Sequence, residues 1–313
     1  ETHQGVFDIA YLRSIPNMTI MTPSDENECR KMLTTAFKMD TPAAVRYPRG
    51  KGPGVAQDET LDTIEIGRAR EIRHTSKKSH RVAILAFGLM VSRMREVAQK
   101  LDATLIDMRF VKPLDREMII KAASEHDLLC TIEDGVAMGG AGSAVLETLS
   151  ELGLGVPTLV MGIKDQFVPQ GGIDDLMRDN ELDSESVVRR IREALLIKPL
   201  VDLKPLNTMA VSAKARYFTK VENLDELRLV LDFAAREKVK PFILGGGSNL
   251  LIVNNFIDRL VIQMAFSGFV VNKTDRTVEL GAGEEWHEVV KRILALGWGG
   301  LENLALIPGT VGG

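Results

Sequence analysis

The stretch REALLIKPLVDLKPLNTMAV, residues 192–211, decides how the chain is organised. To its left, Val187, Val188, Ile191, Ala194 and Leu195 recur at helical spacing, so SESVVRRIREALL (184–196) reads as an amphipathic helix. Pro199 forbids simple continuation, and a different pattern begins near Leu203. The piece between, 199–202, reads as a linker joining two domains.

Upstream of that point the chain alternates. Apolar runs at 81–87 (RVAILAF), 103–108 (ATLIDM), 127–132 (DLLCTI) and 156–161 (VPTLVM) are separated by helical segments near 91–101, 115–125 and 141–152. Continuous Val/Ile/Leu strands spaced by helices predict a parallel sheet covered on both faces, a doubly wound α/β domain. Before it, residues 1–50 predict a helix near FDIAYLRSI, a strand at MTIMTP, a helix opening at Ser24 or Asp25, and a strand at PAAVRYP. Ser24 and Asp25 suit an N-cap, and Glu26 and Glu28 place negative charge on the positive end of the helix dipole. RGKGPGVAQDETLD has no periodicity and reads as a linker.

Downstream of Leu203 the pattern mixes strands (RYFTKV, PFILGG, RLVIQM, TVELGAG) with helices (NLDELRLVLDFAAREK, EWHEVVKRILALG), with antiparallel pairing expected. The fold class predicted overall is α/β followed by a separate α+β domain. No internal repeat relates the halves.

Composition narrows the function. The 313 residues suit about two domains of roughly 150 residues. A hydrophobic content of 45% with 26% charged residues is ordinary for a globular protein. No stretch has the length of apolar sequence that a membrane span needs, and the N-terminus lacks the order of a signal peptide, so a cytoplasmic location is expected. Cys29 and Cys130 lack metal-ligand spacing and read as reduced thiols, and no metal site is expected. A net charge of −4 with intermixed signs argues against nucleic-acid or membrane partners and points to small molecules. The start at Glu1 and the finish in the glycine-rich IPGTVGG are both expected to be cut ends.

Several motifs could carry chemistry. GGGSNLLI (245–252) follows a strand, so the N–H groups of Gly245, Gly246, Gly247, Ser248 and Asn249 can approach a diphosphate without interference from Cβ atoms. It is not a dinucleotide fingerprint, because GxGxxG should open a helix, and a plain tight turn remains the alternative. A second turn at Gly281, Ala282 and Gly283 precedes a helix, and Ile307, Pro308 and Gly309 lie in the terminal IPGTVGG. Together the three favour a flavin or nucleotide diphosphate site. In the first half, His3 could shuttle protons and Arg46 or Arg49 could grip a phosphate, against the structural roles such residues usually play. His74, His80, His126 and His287 are assigned nothing. MGGAGSAVLETL (138–149) could face an anion at a helix N-terminus, but close helix–sheet packing or subunit contact is the favoured reading.

Two resemblances follow from these residues. THQGVFDIAYLRSIPNMTIMTPSDENECRKML, AAVRYPRG, TLIDMRFVKPLD and MGGAGSAVLETL resemble the C-terminal part of the 1-deoxy-D-xylulose 5-phosphate synthase family. This implies the end of a transketolase-type pyrimidine-binding domain over 1–60 and a transketolase C-terminal domain over 61–198, with homodimerisation through this part. It also implies an active-site role in proton handling for His3 and substrate-phosphate binding for Arg49. The family's thiamine diphosphate, Mg²⁺ and activating glutamate would lie on a region this chain does not carry, so no activity is expected from it alone.

LKPLNTMAV, ILGGGSNLLI, ELGAGEEWHEVV and GLENLALIPGTVGG resemble the N-terminal part of the UDP-N-acetylenolpyruvoylglucosamine reductase (UDP-N-acetylmuramate dehydrogenase) family. This implies a truncated FAD-binding domain of the vanillyl-alcohol-oxidase type over 203–313, with the glycine turns facing the FAD diphosphate. The expectation is a composite of an isoprenoid-precursor transferase and a peptidoglycan-precursor oxidoreductase. The alternatives are an interior piece of a bifunctional enzyme and a non-catalytic FAD-binding or scaffolding protein.

Overall fold

The structure, a computed structural model, describes residues 4–48 and 50–312. His3 and Arg49, both singled out above, lie outside the described residues. The chain divides into two compact units, Glu1–Ile191 and Arg192–Gly313.

The first unit begins with α1 (Asp8–Leu12), β1 (Thr19–Met21), α2 (Glu26–Phe37) and β2 (Ala43–Val45). Asp25 is the N-cap of α2, its side chain accepting from the Glu28 N–H at 2.9 Å, so the capping signal in the sequence is realised. The glycine-rich segment after β2 forms no regular element, but the Glu26 carboxylate accepts the Gly54 N–H at 2.8 Å and the Asn27 amide donates to the Ala56 carbonyl at 2.7 Å. The segment is therefore tethered to the first turn of α2.

There follow β3 (Arg70–Arg73), β4 (Val82–Ala86), α3 (Met90–Leu101), β5 (Thr104–Asp107), β6 (Phe110–Lys112), α4 (Arg116–Glu125), β7 (Leu128–Val136), α5 (Ala141–Glu151), β8 (Thr158–Ile163), α6 (Ile173–Asp179) and α7 (Ser184–Leu196). The main sheet has the order β3-β5-β4-β7-β8; β5, β4, β7 and β8 run parallel and β3 pairs antiparallel at the edge. Successive strand residues face opposite sides. Ala83 and Leu85 join Ile106, Leu129, Ile119 and Val145 in one apolar layer, while Ile84 between them points the other way and is equally buried. This is the two-sided burial that the continuous apolar runs predict.

A second, three-stranded sheet, β2-β1-β6, unites the first segment with the strand after β5. Beneath it lies a buried ionic cluster. Glu28 accepts from the Arg109 guanidinium at 2.7 Å and lies 3.4 Å from Arg70; Asp107 accepts from Ser24 at 2.8 Å and from Arg70 at 3.2 Å. Burial pushes the Asp107 carboxyl upward against these partners.

The second unit corrects the expectation of a linker at 199–202. Lys198–Asp202 is strand β9, paired antiparallel with β10 (Lys214–Val221). Before it, Leu196 and Ile197 pack with Val221, Val230, Leu260 and Ile262, and Glu193 accepts from Arg236 at 2.8 Å. β9 is an edge strand, the position in a sheet where a proline is tolerated, so Pro199, which argues against a central strand, does not prevent pairing here.

The remaining elements are α8 (Leu224–Arg236), β11 (Pro241–Leu244), β12 (Phe256–Met264), β13 (Phe269–Asn272), β14 (Thr277–Leu280) and α9 (Trp286–Ala295). The sheet order is β11-β12-β10-β9, with β10, β12 and β11 mutually parallel. Among the described residues, antiparallel pairing, expected in this half, occurs between β9 and β10, in the β13–β14 hairpin and at the isolated bridge Glu285–Thr310. The segments between the parallel strands, one of them helix α8, provide the crossovers that parallel pairing requires.

Candidate functional site

The glycine turn at 245–249 leaves the end of β11, and the structure brings it against Ile307, Pro308, Gly309 and Gly312 in a cleft of about 600 Å³. Ser248 bridges the two walls, its hydroxyl donating to the Pro308 carbonyl at 3.2 Å. A Cβ on Gly246 would lie 3.2 Å from the Gly309 Cα, a tight contact that the glycines on both walls avoid.

Gly247 is fixed from below. Its φ is +68°, and a Cβ there would sit 2.0 Å from the Leu206 carbonyl oxygen. The Thr208 N–H donates to the Gly247 carbonyl at 3.1 Å. That shelf is stiffened by the buried Asn207, whose side chain donates to the carbonyls of Leu203 at 2.7 Å and Val211 at 2.9 Å and accepts the Val211 N–H at 3.0 Å. No signal in the sequence points to this role for 206–208, although LKPLNTMAV is the second half of the decisive stretch.

Gly281, Ala282 and Gly283 stand behind the cleft and do not line it. The Gly312 N–H donates to the Ala282 carbonyl at 2.9 Å, Val311 donates to Glu284 at 3.0 Å, and Trp286 donates to Gly309 at 3.1 Å. A Cβ on Gly281 would meet the Phe266 carbonyl at 2.3 Å, and one on Gly283 the Ala265 backbone at 2.6 Å. These glycines permit backbone packing that holds the 309–312 wall in place.

The cleft fits a diphosphate on two counts. Among the described residues, the N–H groups of Gly246, Gly247, Ser248 and Asn249 donate to no acceptor, which leaves a row of backbone donors for an anion. Gly246 and Gly309 on the facing walls put no side chain between those donors and the cleft, and the buried Thr310 hydroxyl, unpartnered among the described residues, is not one of the lining groups.

In the first unit, the residues after His3 are anchored although His3 itself is not described. The Gln4 amide donates to the Val168 carbonyl at 3.0 Å and accepts the Val168 N–H at 3.3 Å, and Phe7 packs edge-on to Phe167 at 5.8 Å. A cleft of about 290 Å³ is lined here by Gly5, Asp8, Arg46, Tyr47, Lys51 and Asp134, among others. Arg46 is bonded to Asp8 at 3.2 Å and closely to Asp134, so this guanidinium is already committed to two carboxylates.

The glycines of MGGAGSAVLETL are explained by packing. A Cβ on Gly142 would lie 2.6 Å from both Thr131 and Val160. The anion at the start of α5 is the chain's own Glu133, which accepts the Gly142 N–H at 2.9 Å. Glu133 is almost wholly buried and its second oxygen has no partner; burial lifts its carboxyl to about 7 despite the N–H groups that favour the charged form. Buried Cys130 has its thiol pushed up to about 12 by desolvation, which makes it a poor nucleophile.

Comparison with known proteins divides the chain at similar places. Residues 1–54 match the family model of the transketolase pyrimidine binding domain, 71–187 that of the transketolase C-terminal domain, and 215–313 that of an FAD binding domain. The chain is 52% identical over 192 residues to a 1-deoxy-D-xylulose-5-phosphate synthase of Nitrosomonas europaea, covering 61% of this chain and 31% of that protein. It is 53% identical over 188 residues to the corresponding synthase of Alteromonas mediterranea, covering 60% of this chain and 30% of that one. The chain thus spans less than a third of the length of these curated relatives. Among solved structures, a split-gene transketolase described as an inactive β4 tetramer matches with a TM-score of 0.55 at 30% identity, over 62% of each chain. The expected fold class, transketolase-type domains followed by an FAD-binding domain, holds.

Proposed function

We propose that this chain joins the C-terminal third of a 1-deoxy-D-xylulose 5-phosphate synthase to the FAD-binding part of a UDP-N-acetylmuramate dehydrogenase. The synthase half rests on one observation above others, the 52% identity over 192 residues to a synthase. The dehydrogenase half is supported by the match of 215–313 to an FAD binding domain and by the cleft between Gly245–Asn249 and Ile307–Gly309.

In this reading the free N–H groups of Gly246, Gly247, Ser248 and Asn249 hold the FAD diphosphate, while Gly309 keeps the opposite wall close enough to exclude water. Bound FAD supplies hydride chemistry at its ring system. Gly281, Ala282 and Gly283 serve by positioning the second wall. In the synthase half, His3 is proposed to handle a proton and Arg49 to bind the substrate phosphate. No residue of this chain is assigned to holding thiamine diphosphate or Mg²⁺. Domain limits of 1–60, 61–198 and 203–313, a cytoplasmic location and a homodimer through the first unit belong to the same proposal, with 199–202 moved from linker to sheet.

The 313 residues by themselves are proposed to turn over neither substrate set. Incubation of the purified chain with pyruvate, glyceraldehyde 3-phosphate, thiamine diphosphate and Mg²⁺ is expected to yield no deoxyxylulose phosphate. Steady product formation would overturn that part of the proposal.

A further inference from the structure

Both tryptophans of the chain, Trp286 and Trp298, line one cleft in the second unit, about 430 Å³ in volume, between the β13–β14 hairpin, α9 and the segment that follows it. It shares no lining residue with the glycine cleft. Its remaining wall includes Val278, Leu280 and Ile293, with Arg276 at the hairpin turn.

Three features set this cleft apart from ordinary core packing. Neither indole is fully buried, so flat aromatic surface remains open to the cavity. The Trp286 ring is fixed because its Nε1–H donates to the Leu304 carbonyl at 2.9 Å, whereas the Trp298 indole N–H has no acceptor among the described residues. Arg276 is exposed, held in the left-handed region at φ 51°, and without an ion pair among the described residues. Arg216, Arg228, Arg236 and Arg292 of the same unit each pair with a carboxylate, whereas Arg192 and Arg259 share with Arg276 the lack of an ion pair among the described residues but do not line the cleft.

We propose that this cleft binds a nucleoside monophosphate, its base against the indoles and its phosphate on Arg276. Base–aromatic stacking contributes about 1–3 kcal/mol per base, and it needs rigid flat surfaces of the kind Trp286 presents. A guanidinium with unused N–H groups meets a phosphate through paired, charge-assisted hydrogen bonds. The Trp298 N–H supplies a further donor for a base or sugar oxygen. The volume falls in the lower part of the range of roughly 300–1,000 Å³ that small-molecule sites occupy. The inference does not depend on flavin binding in the glycine cleft.

Because Trp286 and Trp298 are the chain's only tryptophans, the intrinsic tryptophan emission of the folded chain comes from side chains that line this cleft. Adenosine monophosphate titrated into the 313-residue chain is expected to change the emission saturably, with adenosine binding at least about tenfold more weakly and inorganic phosphate alone giving no change. Arg276→Gln, at an exposed turn, should bring the monophosphate to the affinity of adenosine while leaving the circular dichroism spectrum intact. Trp298→Phe should weaken retention of labelled monophosphate in equilibrium dialysis. An emission that stays constant through millimolar monophosphate in the folded chain would overturn the proposal. Equal affinity for monophosphate and adenosine, or for the parent and Arg276→Gln, would do so as well.

Discussion

The Ser248 hydroxyl donates to the Pro308 carbonyl at 3.2 Å, closing the glycine cleft between loops 60 residues apart. The bond is exposed, so its net contribution lies at the lower end of the usual ~0.5–1.5 kcal/mol. Ser248→Ala is accordingly expected to lower FAD affinity by less than about tenfold in a flavin titration and to leave the melting temperature nearly unchanged.

Gly247 tolerates much less. With φ at +68° and the Leu206 carbonyl 2.0 Å from any Cβ, a β-branched residue meets both backbone strain and a backbone clash. Strain of this kind costs on the order of 1–3 kcal/mol before the clash is counted. Gly247→Val should abolish FAD retention and lower the unfolding midpoint seen by tryptophan fluorescence, since both tryptophans lie in the second unit.

The ionic cluster of the first unit should respond separately. Glu28 is 4% exposed and Arg109 16%, and removing the carboxylate leaves the guanidinium buried without its partner. Such a loss costs roughly 3–5 kcal/mol. Glu28→Ala should move the denaturant transition seen by far-ultraviolet circular dichroism while the tryptophan transition keeps its midpoint.

Glu133 gives the first unit a defined dependence on pH. Its carboxyl sits at about 7 in the folded chain against 4.5 as the reference value, so between these limits the native state holds a proton that the unfolded state has released. Stability from this group is therefore fully present below about pH 4.5 and is lost as pH rises through 7, with a slope of up to about 1.4 kcal/mol per pH unit. Stability curves measured from pH 5 to 8 should lose this downward component in Glu133→Gln, which keeps the side-chain oxygen that accepts the Gly142 N–H. An unchanged pH profile in that variant would assign the decline to other groups.

Much of the architecture was legible because it rests on local signals. The apolar runs that became β4, β5, β7 and β8 are bounded by helices with clear stripes, and the Asp25 cap announces α2 directly. Strand β9 was illegible because its only apolar residues are Leu200 and Val201 and it carries a proline; its identity comes from pairing with β10, which no local pattern encodes. Parallel pairing of β10, β12 and β11 is hidden for the same reason, since register and direction are settled by partners distant in sequence. The glycine turns showed where backbone could approach a ligand, and two of the three do meet in one cleft. That the third, at 281–283, supports the wall from behind depends on contacts with Gly312 and Ala265 that spacing could not disclose.

The measurement that bears most directly on the account is an FAD titration of the 313-residue chain, read by retention of flavin absorbance after ultrafiltration. Saturation at one FAD per chain, lost in Gly247→Val and largely kept in Ser248→Ala, is the predicted result. A folded chain that lets all the flavin pass, or a Gly247→Val variant that retains it as well as the parent, would contradict the assignment of the glycine cleft.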